Sequence, residues 1–159
     1  MKAIFPGSFD PITNGHLDVI KRSAQLFEHV YVVILTNTAK KPLFSAEKRQ
    51  MLVEDAIKDL SNVTVLLKEA DLTVNVANQL GAQVIIRALR NAQDFEFEKN
   101  IAEMNKNLAP QIETMLLVTD PKYSFVSSSL VKEVARFKGD VSQLVSPLVL
   151  TELKKANKA

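Results

Sequence analysis

The sequence has no cysteine, and this excludes disulfides, cysteine-ligated zinc and thiol nucleophiles. Glycine is scarce, with four residues in 159. Neither of the usual glycine-rich phosphate loops, G-x-G-x-x-G or G-x-x-x-x-G-K-[ST], is present, which argues against a P-loop hydrolase and an ordinary nicotinamide dehydrogenase. No apolar run approaches the ~20 residues of a membrane span. Met1 to Phe9 lacks the long apolar stretch of a signal peptide, so a cytoplasmic protein is expected. Charge is nearly balanced, 20 basic against 18 acidic residues, and a net charge of +2 is too small to mark a nucleic-acid binder. No histidine or carboxylate cluster has the spacing of a structural metal site.

What is present suits one compact domain over residues 1–159, with 47% hydrophobic and 24% charged residues. Short apolar runs alternate with segments of helical period. Strands are expected at Lys2–Pro6, Val30–Leu35, Val63–Leu67, Val84–Arg87 and Thr114–Val118. Between them lie helical stretches. The first carries Leu17, Ile20, Ala24 and Phe27 on one face. The second is capped by Ser45, with Leu52, Val53, Ala56, Ile57 and Leu60 inward, and the third runs from Thr73 to Leu80, closed by Gly81. Asp94–Leu108 is expected to align Phe97, Ile101, Met104 and Leu108 as a row read as core, and Ser127–Lys138 to carry Leu130, Val134 and Phe137 on one side. Ser146-Pro147 opens a last helix, and Lys154, Lys155 and Lys158 read as its solvated basic end. The alternation predicts an α/β fold, a doubly wound parallel five-stranded sheet with helices on both faces. Ligands bind such sheets outside the carboxyl ends of the strands, near a switch point.

The segments after the strands therefore hold the candidates. After the first strand, two of the four glycines fall within Gly7-Ser8-Phe9-Asp10-Pro11-Ile12-Thr13-Asn14-Gly15-His16. Gly7 permits a close approach of backbone to ligand, and Gly15-His16 opens a helix whose N-terminus suits an anion. His16 at that positive dipole end should stay neutral and donate one hydrogen bond, unless it merely caps the helix. Lys40 and Lys41 follow the second strand, as phosphate ligands or as a solvated loop. Arg87 and Arg90 follow the fourth, with planar forks that match phosphate oxygens; the alternative is pairing with Asp94 and Glu98. Ser127, Ser128 and Ser129 supply hydroxyls and free N–H groups at a helix start, or only a cap. Ser129-Leu130-Val131-Lys132 matches S-x-x-K, but the companions S-D-N and K-T-G of that acyl-enzyme class are absent.

Thr13-Asn14-Gly15-His16, matching [HT]-x-G-H, together with Ser127-Ser128-Ser129 and Lys132, resembles the nucleotidyltransferase superfamily. The stretches Pro6–His16, Lys40–Phe44, Ile86–Arg90, Asp94–Glu98 and Ser124–Val134 are similar to the bacterial phosphopantetheine adenylyltransferase family over nearly the whole chain. The resemblance implies a Rossmann-like fold, a homohexamer, and reversible transfer of AMP from Mg²⁺-ATP to 4′-phosphopantetheine. The products are dephospho-coenzyme A and pyrophosphate, the penultimate step of coenzyme A synthesis, with coenzyme A as a candidate inhibitor. It assigns Ser8, Lys40, Leu72, Arg87 and Asn105 to phosphopantetheine. ATP takes Gly7, Ser8, Phe9, His16, Arg90, Glu98 and the run Ser124, Phe125, Val126, Ser127, Ser128 and Ser129. His16, Lys40, Ser8 and Arg90 are the implied catalytic set, and Mg²⁺ is expected mainly through the ATP phosphates rather than through protein ligands.

Three positions depart from the family's commonest pattern: Ala88 replaces a glycine between the arginines, Ser8 a threonine, and Phe97 a tyrosine. Two other readings stand beside this one. One is a transferase acting on a different phosphate, such as a mononucleotide; the other is a nucleotide sensor without turnover.

Overall fold

The computed structural model describes residues 1–36 and 41–158. The chain runs β1 (Lys2–Gly7), α1 (Asn14–Leu26), β2 (His29–Thr36), α2 (Ala46–Ile57), β3 (Val63–Glu69), α3 (Thr73–Leu80) and β4 (Val84–Leu89). It continues with α4 (Ala92–Leu108), β5 (Glu113–Val118), one 3₁₀ turn (Pro121–Tyr123), α5 (Ser128–Arg136) and α6 (Pro147–Ala156). The five strands form one parallel sheet in the order β3-β2-β1-β4-β5. The chain winds outward from β1 in one direction, then returns past it to β4, so the switch point lies between β1 and β4. The doubly wound α/β sheet expected from the alternation is the one observed.

Neighbouring strand residues point to opposite faces, and this separates two cores. Ala3 and Phe5, Val32 and Ile34, and Val84 and Ile86 join Val19, Ile20, Leu52, Val53, Val131, Val149 and Leu153, so α1, α2, α5 and α6 cover one face. Ile4, Val33 and Ile85 meet Val74, Val76 and Ala77 of α3 on the other, with α4 beside α3. The central strands are buried on both sides, which explains their near-continuous apolar runs.

The helix boundaries follow local chemistry. Thr13, Ser45, Asn91, Ser127 and Ser146 accept backbone N–H groups as N-caps. Gly81 ends α3 at φ 64°, the left-handed C′ geometry expected of it.

Three expectations need correction. β4 extends to Leu89, so Arg87 lies within the strand and only Arg90 follows it. α4 begins at Ala92, and its apolar row does not face the core: Phe97, Met104 and Leu108 are 64%, 57% and 51% exposed, while Glu98 and Asn105 are buried. Helical period identifies a face but not the side it turns to. Here the inward side meets Arg87 and Thr114, which need polar partners. α5 stops at Arg136, Val131 is its buried centre, and Phe137 is exposed.

Candidate active site

A cavity of about 290 Å³ opens at the carboxyl ends of β1 and β4, at the switch point. Its walls come from the loop after β1, the start of α1, the end of β4, the first turns of α4, and the approach to α5. Gly7, Ser8, Phe9 and His16 line one side, Arg87, Arg90 and Glu98 another, and Val126, Ser127 and Ser128 a third. The sequence had singled out all ten. Thr119 and Tyr123 also line it and were not anticipated.

The loop after β1 is fixed from below. Gly7 is required because a Cβ there would come 2.9 Å from the buried Phe9 ring. Phe9 packs edge-on to Phe5, with ring centroids 5.6 Å apart, and lies 5.1 Å from the His16 ring. Ser8 itself is exposed, while its carbonyl accepts a hydrogen bond from Arg49 Nη1 at 2.8 Å.

His16 sits in a capping box. Its backbone N–H donates to Thr13 Oγ1, and its Nδ1 accepts from the Thr13 backbone N–H at 3.1 Å. A neutral imidazole whose Nδ1 accepts must carry its proton on Nε2, so the other ring nitrogen is a donor. Burial, and after it the Arg90 charge, push the His16 pKa down to about 4. The ring is thus neutral at pH 7, as the sequence implied, but the chief cause is burial rather than the helix dipole. The two alternatives for His16 coexist: it caps α1 with one nitrogen and keeps the other for the cavity.

Both arginines are paired with carboxylates. Arg87 donates to Glu98 through Nε and Nη2 at 2.6 and 2.7 Å. Arg90 donates to Asp94 through Nε at 2.9 Å and Nη2 at 3.1 Å, and its backbone N–H adds a third bond at 2.9 Å. Burial alone would raise the Asp94 pKa, but these Arg90 bonds and charge outweigh it and hold the carboxyl below its ordinary value. The pairing that stood as the alternative to a phosphate role is therefore present. It does not use up the guanidinium donors: Nη1 of each arginine has no partner among the described residues.

Ser127 caps α5 by accepting from the Leu130 N–H, and Ser128 Oγ donates to the Pro11 carbonyl at 2.8 Å. Ser128 thereby ties the start of α5 to the loop after β1. Lys132 donates to Asp10 Oδ2 at 2.9 Å. That ion pair removes Lys132 as a free base for Ser129, and with it the acyl-enzyme reading.

Other expected residues lie outside this cavity. Leu72 is the exposed N-cap of α3, and Asn105 is buried on α4 with its side chain donating to Thr114 Oγ1. Ser124, Phe125 and Ser129 do not line it, and Phe125 is largely exposed. Lys40 falls outside the described residues. No group of three or more His, Cys, Asp or Glu side chains that could hold a metal ion occurs among the described residues. No helix there is long and apolar enough to cross a membrane.

Residues 4–134 match the family model described as cytidylyltransferase-like. A phosphopantetheine adenylyltransferase of Lactobacillus acidophilus is 52% identical over 153 residues, covering 96% of this chain and 95% of its own. One of the same name from Prochlorococcus marinus is 49% identical over 154 residues, covering 97% and 96%. Among solved structures, a Plasmodium falciparum nicotinic acid mononucleotide adenylyltransferase complexed with NaAD superimposes with a TM-score of 0.70. It is 19% identical and covers 98% of this chain and 95% of its own, a likeness of fold alone.

Proposed function

The chain belongs to the cytidylyltransferase-like family, and within it to the phosphopantetheine adenylyltransferases, and from that premise we propose how its cavity performs the transfer. The enzyme moves the adenylyl group of ATP onto the phosphate of 4′-phosphopantetheine, giving dephospho-coenzyme A and pyrophosphate in coenzyme A biosynthesis.

The nucleophile is an anionic phosphate, so no protein base is needed to create it. The task is to hold two anions together and to stabilise charge on the transferring phosphorus, which positioning and preorganised donors can do. The observation that carries this reading is the convergence at one switch-point cavity of a neutral His16 with its proton on Nε2 and of Arg87, Arg90 and Ser128. His16 donates to the α-phosphoryl oxygens and, being uncharged, does so without competing for the phosphates as a counter-ion. Ser8, whose hydroxyl has no partner among the described residues, orients the attacking phosphate. Arg90 and the free backbone N–H groups of Ser128 and Ser129 at the start of α5 hold the β- and γ-phosphates, the Ser128 hydroxyl being engaged by Pro11, and Arg87 receives the acceptor phosphate. Lys40 takes its place beside the α-phosphate on the resemblance alone. Attack is in line, with no covalent intermediate, and inversion at a chiral α-phosphorus is the expected stereochemistry.

Mg²⁺ enters as part of the ATP substrate. Glu98 and Asp94 are engaged by arginines, so neither is assigned to the ion. Leu72 and Asn105 are assigned to the pantetheine arm beyond the cavity, and Ser124 to Ser129 to the nucleotide. Residues 1–159 act as one catalytic unit in the cytoplasm. The outward apolar row of α4, Phe97, Met104 and Leu108, supports self-association, and the resemblance sets the number at six. Inhibition by coenzyme A follows from its containing the product.

The decisive experiment for the acceptor is turnover on 4′-phosphopantetheine against nicotinate mononucleotide at equal Mg²⁺-ATP. Clear preference for phosphopantetheine is expected; preference for the mononucleotide would reassign the acceptor.

A further inference from the structure

Three charged side chains beneath the cavity line no part of it. Asp10 is 5% exposed and Arg49 is 4% exposed, and Lys132 is half-buried. Asp10 Oδ1 accepts from the Phe44 backbone N–H at 2.9 Å, and Oδ2 accepts from the Leu43 N–H and from Lys132 Nζ, each at 2.9 Å. Burial opposes its charge, yet the Leu43 and Phe44 N–H groups and the Lys132 amine outweigh it and hold the carboxyl below its ordinary value. The same loop is fastened at two more points, by Arg49 to the Ser8 carbonyl and by Ser128 to the Pro11 carbonyl.

These bonds join three segments that are distant in sequence. Asp10 lies between Ser8 and His16, Leu43 and Phe44 follow β2 just after Lys40 and Lys41, and Lys132 is one turn into α5 beyond Ser127 and Ser128. A buried ion pair can often be replaced by apolar residues without loss of stability, so stability alone does not explain it. A carboxylate with three directed donors instead fixes distances between the segments that donate.

We propose that Asp10, through Lys132 and the Leu43 and Phe44 amides, is a positioning residue that sets the spacing between the His16 loop, the segment after β2, and the serine start of α5. This rests on the adenylyl-transfer reading above. A change of spacing of the order of 1 Å costs up to about 10²-fold in rate, so the effect belongs in kcat more than in KM.

The test uses the full chain with Lys132→Met, Lys132→Arg, Asp10→Asn and the double variant Asp10→Asn/Lys132→Met. Lys132→Met is expected to lower kcat roughly 10- to 100-fold with KM for ATP changed less than about threefold. Lys132→Arg restores most of the rate, and the double variant is no slower than Asp10→Asn, since coupled residues are not additive. Wild-type kcat in Lys132→Met, or a double loss equal to the product of the single losses, would overturn the proposal. If Asp10→Asn does not fold, Lys132→Met and its arginine rescue decide alone. Should the wild type turn over no phosphopantetheine, the transfer reading fails by itself. The positioning claim is then judged by the His16 ring NMR resonance, which must shift in Lys132→Met and return in Lys132→Arg; an unmoved resonance rejects it.

Discussion

The two long walls of the cavity are held by different means. On the β1 side, the donors are placed by hydrogen bonds that fasten the loop to neighbouring segments, several of them to backbone groups: His16 to Thr13, Arg49 to Ser8, and Asp10 to two backbone amides and Lys132. On the β4 side, Arg87 and Arg90 are placed by partly exposed ion pairs to Glu98 and Asp94. The first wall presents a neutral donor whose position does not depend on ligand. The second presents cations each already held by a carboxylate through Nε and Nη2, with Nη1 of each left to meet an arriving phosphate. Preorganisation therefore resides mainly on the β1 wall and charge recognition on the β4 wall, and each wall predicts its own kinetic signature.

The largest effect belongs to the β1 wall. His16→Ala is expected to lower kcat on the order of 10²–10³ with little change in KM for ATP, measured by steady-state pyrophosphate release. It also removes a capping bond worth about 1 kcal/mol, too little to account for such a loss. A comparable fall in binding and rate would erase the distinction between the walls. Next comes Arg90→Met on the opposite wall. Loss of a charge-assisted bond of about 1.5–3 kcal/mol corresponds to roughly a 10- to 100-fold rise in KM or Kd for ATP, read by calorimetry.

A smaller effect is expected for Glu98→Gln. Arg87 is left half-buried without its full partner, and because the pair is partly exposed the cost is about 1 kcal/mol, a fall of roughly 2–4 °C in melting temperature. The smallest concerns titration. His16 and His29 are the only histidines, so their ring resonances are readily assigned. The His16 pKa is depressed from 6.5 to about 4. The unfolded chain then binds more protons between those values, so His16's contribution to stability is full above 6.5 and is lost as pH falls through 4. Its resonance should not titrate above about pH 5. In Arg90→Met its midpoint should move upward, because one of its two depressing causes is gone; a fixed midpoint would show the walls to be electrically independent.

Much of this arrangement was legible in the sequence because its signals are local. Strand and helix alternation, the Gly81 stop and the serine caps depend on neighbours in the chain. Thr13 to His16 is a capping box as well as a nucleotidyltransferase mark, so one short stretch carries both structure and chemistry. The Asp10 network was not legible, since its partners lie 33, 34 and 122 residues away. Arg49 carries no signal of its own in the sequence, and only the fold places it under Ser8. The α4 row was misassigned because its period is genuine but its inward side is chosen by Arg87 and Thr114. The arginines were correctly placed near the cavity, and the alternative of ion pairing proved compatible with that placement rather than opposed to it.

The most direct test of the account is pyrophosphate release from Mg²⁺-ATP with and without 4′-phosphopantetheine, with the product identified. Release that requires phosphopantetheine and yields dephospho-coenzyme A is the predicted result. ATP bound without acceptor-dependent release would contradict it.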